Sequence, residues 1–113
     1  MQTWDTRSLG VEAHRPEVLH SDDEGRTIVI NLPAGEELQE HQVHERAWII
    51  VVDGDVEIED SAGQTVKAGV GSLALTEPNE RHEVRAISDA RILLVLAPWP
   101  GHGHPSQKPP ASG

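Results

Sequence analysis

Three histidines carry the chemistry that this chain offers most openly. His41 and His44 stand three residues apart between Gly35 and Gly54, and His82 follows beyond a second pair of glycines, Gly69 and Gly71. Imidazoles brought together in a protein interior have two uses. They ligate a divalent transition ion through neutral ring nitrogens, or they satisfy each other and nearby water as a polar, pH-sensitive patch. Both readings stand at this point. Other chemistries fall away. The chain has no cysteine, which excludes disulfides, thiolate metal sites and cysteine nucleophiles. No G-x-S-x-G elbow occurs, and Ser61, Ser72 and Ser88 fall in turns or at strand ends, so Ser/His/Asp catalysis has no support. Gly69, Gly71 and Ala74 imitate a dinucleotide fingerprint, but that motif needs a buried strand before it and a helix after it. Here an apolar run ending at Pro78 follows, so both glycines are read as turn positions and no nucleotide cofactor is expected.

The elements that would hold these histidines are short and regular. Apolar runs recur every eight to twelve residues with Gly, Pro, Asn or Asp between them, and helical periodicity is hard to find. This predicts an all-β sandwich or barrel with strands over Glu17–His20, Thr27–Leu32, Glu37–His44, Ala47–Val52, Asp55–Glu59, Gln64–Lys67, Ser72–Leu75, Glu83–Ile87 and Ala90–Leu96. Asp53-Gly54 is the strongest hairpin signal. Residues 1–26 are read as an N-terminal arm and first strand, 27–97 as a single barrel core, and 98–113 as a disordered tail rich in proline, glycine and histidine. His102 and His104 in that tail are an incidental chelating pair.

Alternation within strands predicts which side chains point inward. His82 shares a face with Val84 and Ala86, and His41 shares one with Gln39 and Val43. His44 joins them only if a bulge after Val43 reverses the alternation. Ala47–Val52 and Ile92–Leu96 are apolar on both faces, which calls for the core on one side and a second sheet or a second copy on the other, so a homodimer is expected. Trp48 stands in an otherwise aliphatic strand, where it either packs to close the barrel or forms a wall of a small-molecule pocket.

The bulk composition sets outer limits. Nineteen acidic against nine basic residues give a formal charge of −10, which repels nucleic-acid backbones and anionic lipid, and no Lys/Arg cluster offsets it. With no Phe, no Tyr and three Trp, base stacking is not available either. The longest apolar stretches are too short to span a bilayer, so a soluble, cytoplasmic protein is expected, with no membrane and no nucleic acid among its partners.

The placed segments resemble the cupin superfamily, small jelly-roll β-barrels with two short motifs. Gly35, His41 and Gly54 fall on the first glycine, first histidine and last glycine of the family pattern G-x5-H-x-H-x3-E-x6-G, while Val43 and Ala47 replace its second histidine and its glutamate. Gly71, Leu73, Leu75, Pro78 and His82 follow the looser second motif, and the resemblance spans roughly residues 27–97. It implies a single-domain jelly-roll barrel with an interior metal site held by His41, His82 and His44, with Glu45 a weaker carboxylate option and Gln39 a weak oxygen ligand. The ion would be iron, manganese, nickel or zinc, and Gln39, Val43 and Trp48 would line a pocket for a small organic molecule. Family members that look like this include dioxygenases, isomerases and lyases, so whether the chain is an enzyme, and of what reaction, is left open. The alternative is a metal-free barrel that binds a small ligand or serves as a protein-interaction module.

Overall fold

The computed structural model describes residues 1–41 and 45–97, with the backbone alone for 39–41. Nine strands follow in order: β1 (Glu17–Asp22), β2 (Gly25–Leu32), β3 (Glu37–His41), β4 (Arg46–Asp53), β5 (Val56–Glu59), β6 (Thr65–Ala68), β7 (Leu73–Thr76), β8 (His82–Ala86) and β9 (Ala90–Ala97). They form two antiparallel sheets, β1-β2-β9-β4-β7 and β3-β8-β5-β6, stacked as the jelly roll that the cupin resemblance implies. No helix among the described residues is long and apolar enough to cross a membrane.

One local expectation is overturned. Asp53-Gly54 does not close a hairpin, because β4 pairs with β7 and β9 while β5 pairs with β6 and β8. The two residues turn a corner from one sheet to the other. The left-handed conformation is present, with Gly54 at φ 74°, and a Cβ there would lie 2.1 Å from the carbonyl oxygen of Asp89. Glycine is required by that approach as well as by its dihedral. Gly71, at φ 89°, sits in a turn ahead of β7, which confirms that the imitation fingerprint opens a strand and not a helix.

The interior is filled by alternate residues of both sheets. Ile49, Val51, Val56, Val84, Ala86 and Ile92 meet in the main cluster, and Ile28, Ile30, Ala47 and Leu96 form a second that shares Leu38 and Leu94 with it. Burying each large aliphatic side chain contributes about 1.5–3 kcal/mol relative to exposure. The corner end is further tied by the 87–89 segment, where the backbone N–H of Asp55 donates to Ser88 Oγ (3.0 Å) and that of Ala34 to Asp89 Oδ1 (2.9 Å).

The outer face of the larger sheet is apolar too, as the two-faced strands require. Val29, Leu93, Ile50 and Leu73 lie in one cross-strand row, and Val95, Trp48 and Leu75 in the next. The N-terminal arm covers one half of it. Arg91 donates to the carbonyls of Thr6 (3.0 Å) and Arg7 (3.1 Å) and to Asn31 Oδ1 (2.7 Å), and Asn31 in turn donates to the Val11 carbonyl. On that side Val29 is fully buried although it belongs to neither interior cluster. The other half, with Trp48, Leu73 and Leu75, is exposed.

Candidate functional site

Three buried polar residues are found among the described ones, Glu45, Thr76 and His82, and all three belong to the barrel end opposite the Gly54 corner. Alternation explains Glu45 and Thr76. Glu45 precedes β4 at the parity of Ala47, Ile49 and Val51, and Thr76 ends β7 at the parity of Ala74, facing Ala47 across the ladder. Glu45 is 1% exposed with both carboxylate oxygens shielded from solvent. The turn at Pro78-Asn79 then carries the chain to the other sheet, with Asn79 at φ 66° and Glu80 Oε1 accepting from the Glu77 N–H at 3.1 Å. Arg46 holds Glu77 across the rim of this end through Nε and Nη2, at 3.1 and 3.0 Å.

His82 opens β8 and is 3% exposed, on the face shared with Val84 and Ala86, as alternation predicts. Its Nδ1 lies 3.3 Å from the carbonyl oxygen of Glu80, an atom that only accepts. With that carbonyl as its partner, Nδ1 is the donor. A backbone carbonyl holding Nδ1–H is the usual way in which a protein presents a histidine Nε2 to an ion or a substrate.

His41 is aligned with His82, its direct partner in the β3–β8 ladder. The route to that alignment differs from the predicted one. Leu38 faces Val84 and is packed against the core, so unbroken alternation would set Glu40, not His41, opposite His82. The register shifts between Leu38 and His41, an extra residue in β3 that aligns the His41 backbone with that of His82. A bulge thus lies ahead of His41, so the shared parity of Gln39 and His41 no longer assigns them one face; a bulge after Val43 would lie outside the described residues. The side chains of Gln39 and His41 lie outside the described residues, as do Val43 and His44. Among the described residues no three histidine, aspartate or glutamate side chains are grouped as for a metal ion. Trp48 is brought nowhere near the interior; it is 36% exposed on the outer face, opposite in parity to Ala47 and Ile49.

His82 and Thr76 share a cavity of about 480 Å³ that opens between β6 and β7, the edge strands of the two sheets. Ile58, Val66 and Ala74 form its apolar walls, and its charged lining is Asp60 and Glu80, both half-buried, with the exposed Lys67. A smaller cavity of about 170 Å³ on the other side of His82 is lined by Glu59, Asp60, Arg81 and Glu83. Neither Thr76 nor this opening was singled out from the sequence. The alternation Ala74–Thr76 was the available signal for Thr76, and only the strand order shows that β6 and β7 are edges.

The comparisons agree with the architecture. Solved structures that this chain is similar to include an RmlC-like cupin protein from Desulfovibrio desulfuricans, at 22% identity over 87% of this chain and 97% of that one with a TM-score of 0.78. A double-stranded β-helix domain protein from Klebsiella pneumoniae is similar at 17% identity, covering 87% and 90% of the two chains with a TM-score of 0.74. A cupin-2 domain protein from Shewanella frigidimarina is similar at 16% identity, covering 81% and 88% with a TM-score of 0.68. At these identities the likeness speaks for the fold alone. No curated protein matches the sequence significantly. Residues 28–97 match the family described as the cupin domain, which is most of the chain and takes in all or part of every strand from β2 to β9, and the protein belongs to the cupin family.

Proposed function

We propose that this cupin holds a divalent transition metal between His41 and His82 and binds a small organic molecule in the adjoining cavity. The observation that carries the reading is the register shift that sets His41 opposite a buried His82 whose Nδ1 faces the Glu80 carbonyl. The donors suit the group. Two imidazole positions with one interior carboxylate, Glu45, make a set of the two-histidine, one-carboxylate kind, which favours iron, manganese, nickel or zinc; His44 is the competing third ligand. When bound, such an ion acts as a Lewis acid toward a substrate oxygen or a water. The chain's own residues supply the rest: a His82 ring positioned at Nδ1 by the Glu80 carbonyl, an aliphatic wall for the ligand's body, and Thr76 Oγ1 to meet a polar ligand atom.

Elemental analysis tests this on the full chain with His102→Ala and His104→Ala, which removes the tail's chelating pair. Near-stoichiometric metal that is lost in His41→Ala and His82→Ala, with the melting temperature little changed, supports the site. Loss in Glu45→Gln but not in His44→Ala identifies the carboxylate as third ligand. No metal after incubation with each of the four ions, or metal that survives both histidine substitutions, overturns the reading.

The second reading, an interaction module, has its own support in the outer face of β4 and β7. Trp48, Leu73 and Leu75 form an exposed apolar area without a charge on a chain of formal charge −10. An uncharged patch needs no opposite sign in its partner, and a second copy brings the same patch, as a two-fold interface requires. Sedimentation tests the homodimer: Trp48→Glu converts a dimer to monomer, and a wild-type monomer at all concentrations excludes it.

A further inference from the structure

We infer that the cavity between β6 and β7 selects a small molecule with an apolar body and a cationic, amine-type end. This rests on the small-molecule reading above and adds the ligand's charge class. The floor of the cavity holds a group that asks for a polar ligand atom: Thr76 is 5% exposed, its Oγ1 is shielded from solvent, and no hydrogen bond to it exists among the described residues. A buried hydroxyl left without a partner costs about 1–3 kcal/mol, and a ligand N–H or O–H placed there recovers it. Ile58, Val66 and Ala74 around it suit a hydrocarbon body, although Val66 is 58% exposed despite its inward parity, because the cavity is open at this edge.

Charge decides between ligands of similar shape. Asp60 and Glu80 line the cavity, and Glu59 and Glu83 lie on the far side of His82. The cations nearby are fewer and are set outward. Lys67 also lines the cavity, against the two acids, but it is exposed and aligned with Glu57 at the parity opposite to Val66, and Arg81 is exposed on the β7–β8 turn. A carboxylate or phosphate ligand would enter against the sign of the lining, whereas an ammonium group meets Asp60 and Glu80 half-desolvated, where a charge pair counts for more than in water. Both acids are also fixed in place. Asp60 Oδ1 accepts from the N–H groups of Ala62 and Gln64, each at 2.9 Å, and Glu80 Oε1 from that of Glu77.

Amide shifts of the isotope-labelled full chain test the inference on titration with benzylamine, benzyl alcohol and benzoate, which share a ring and differ in charge. The titrations are run on chelator-treated and on metal-loaded protein, so that the metal site and the cavity are judged separately. Benzylamine moves the amides of Ile58, Val66, Ala74 and Thr76 and binds about tenfold tighter than benzyl alcohol, with benzoate weakest, the upper scale of partly exposed ion pairs. The double variant Asp60→Asn, Glu80→Gln keeps the turn acceptors; it removes most of the benzylamine advantage and leaves benzyl alcohol binding unchanged. Benzoate binding as tightly as benzylamine, or an amine advantage that survives the double variant, overturns the charge class while the small-molecule reading stands. If none of the three probes moves these amides in either metal state, the small-molecule reading falls and the inference falls with it.

Discussion

The two ends of this barrel are built to different rules. At the Gly54 corner the interior is entirely aliphatic, with Val51, Val56, Ala86 and Ile92 buried to 2% or less, and the connection is closed by backbone hydrogen bonds and by the 2.1 Å approach that only a glycine allows. At the opposite end the same alternating strands bring Glu45, Thr76 and His82 inward, and the sheets part into a cavity between two edge strands. One end spends its residues on packing. The other keeps polar groups buried, which costs stability unless each is satisfied, and that cost is tolerated where a ligand is to be met.

The largest expected effect breaks the corner end. Gly54→Ala places a Cβ against the carbonyl oxygen of Asp89 and forces a left-handed alanine, so overpacking and dihedral strain add to a loss of about 2–5 kcal/mol. Urea denaturation measures it. A loss below ~1 kcal/mol would mean that the corner relaxes easily and that the two ends are not so different. A reciprocal pair then sharpens the comparison. Val84→Thr puts a hydroxyl into the aliphatic cluster, at a site 1% exposed, and costs about 1–3 kcal/mol. Thr76→Val removes a hydroxyl that has no partner among the described residues; it leaves stability unchanged or raises it by up to about 1 kcal/mol. If the two substitutions cost the same, Thr76 Oγ1 is a structural hydroxyl and the open end is packed like the closed one.

These contrasts divide along the line of what was legible in the sequence. All nine strands were, because turn residues interrupt the apolar runs and the alternation is clean in Val56–Glu59 and His82–Ala86. The inward face of His82 followed from the same rule. The rule failed in β3, where an extra residue between Leu38 and His41 shifts the register; nothing in Leu38-Gln39-Glu40-His41 marks a bulge, since no glycine or proline is present. From the sequence Glu45 stood only as a weaker carboxylate option beside His44. Its parity with Ala47, Ile49 and Val51 was there to be read and identifies it as interior. Asp53-Gly54 shows the limit of turn chemistry: a left-handed glycine fixes a sharp change of direction, but only the pairing of distant strands decides whether the chain returns to its own sheet or crosses to the other.

The smallest effect lies on the outside of the smaller sheet, where the same two ends differ in charge. Toward the corner Glu57 is aligned with Arg85 and bonded to it; toward the open end Glu59 is aligned with Glu83. Hydrogen bonding to Glu37 comes first in raising the Glu83 carboxyl above the ordinary glutamate value, followed by partial burial and the charges of Glu37 and Glu59. The folded chain therefore binds more proton than the unfolded chain between the ordinary value and the raised one, so stability falls as pH rises through that window. Glu83→Gln abolishes this slope. The variant matches the wild type in melting temperature at low pH and gains a small advantage above the window, one that shrinks in high salt because the groups are exposed. Melting curves over pH measure it. An advantage that is constant with pH would show that Glu83 acts through packing, and the acidic rim of the open end would then lose its electrostatic meaning for folding.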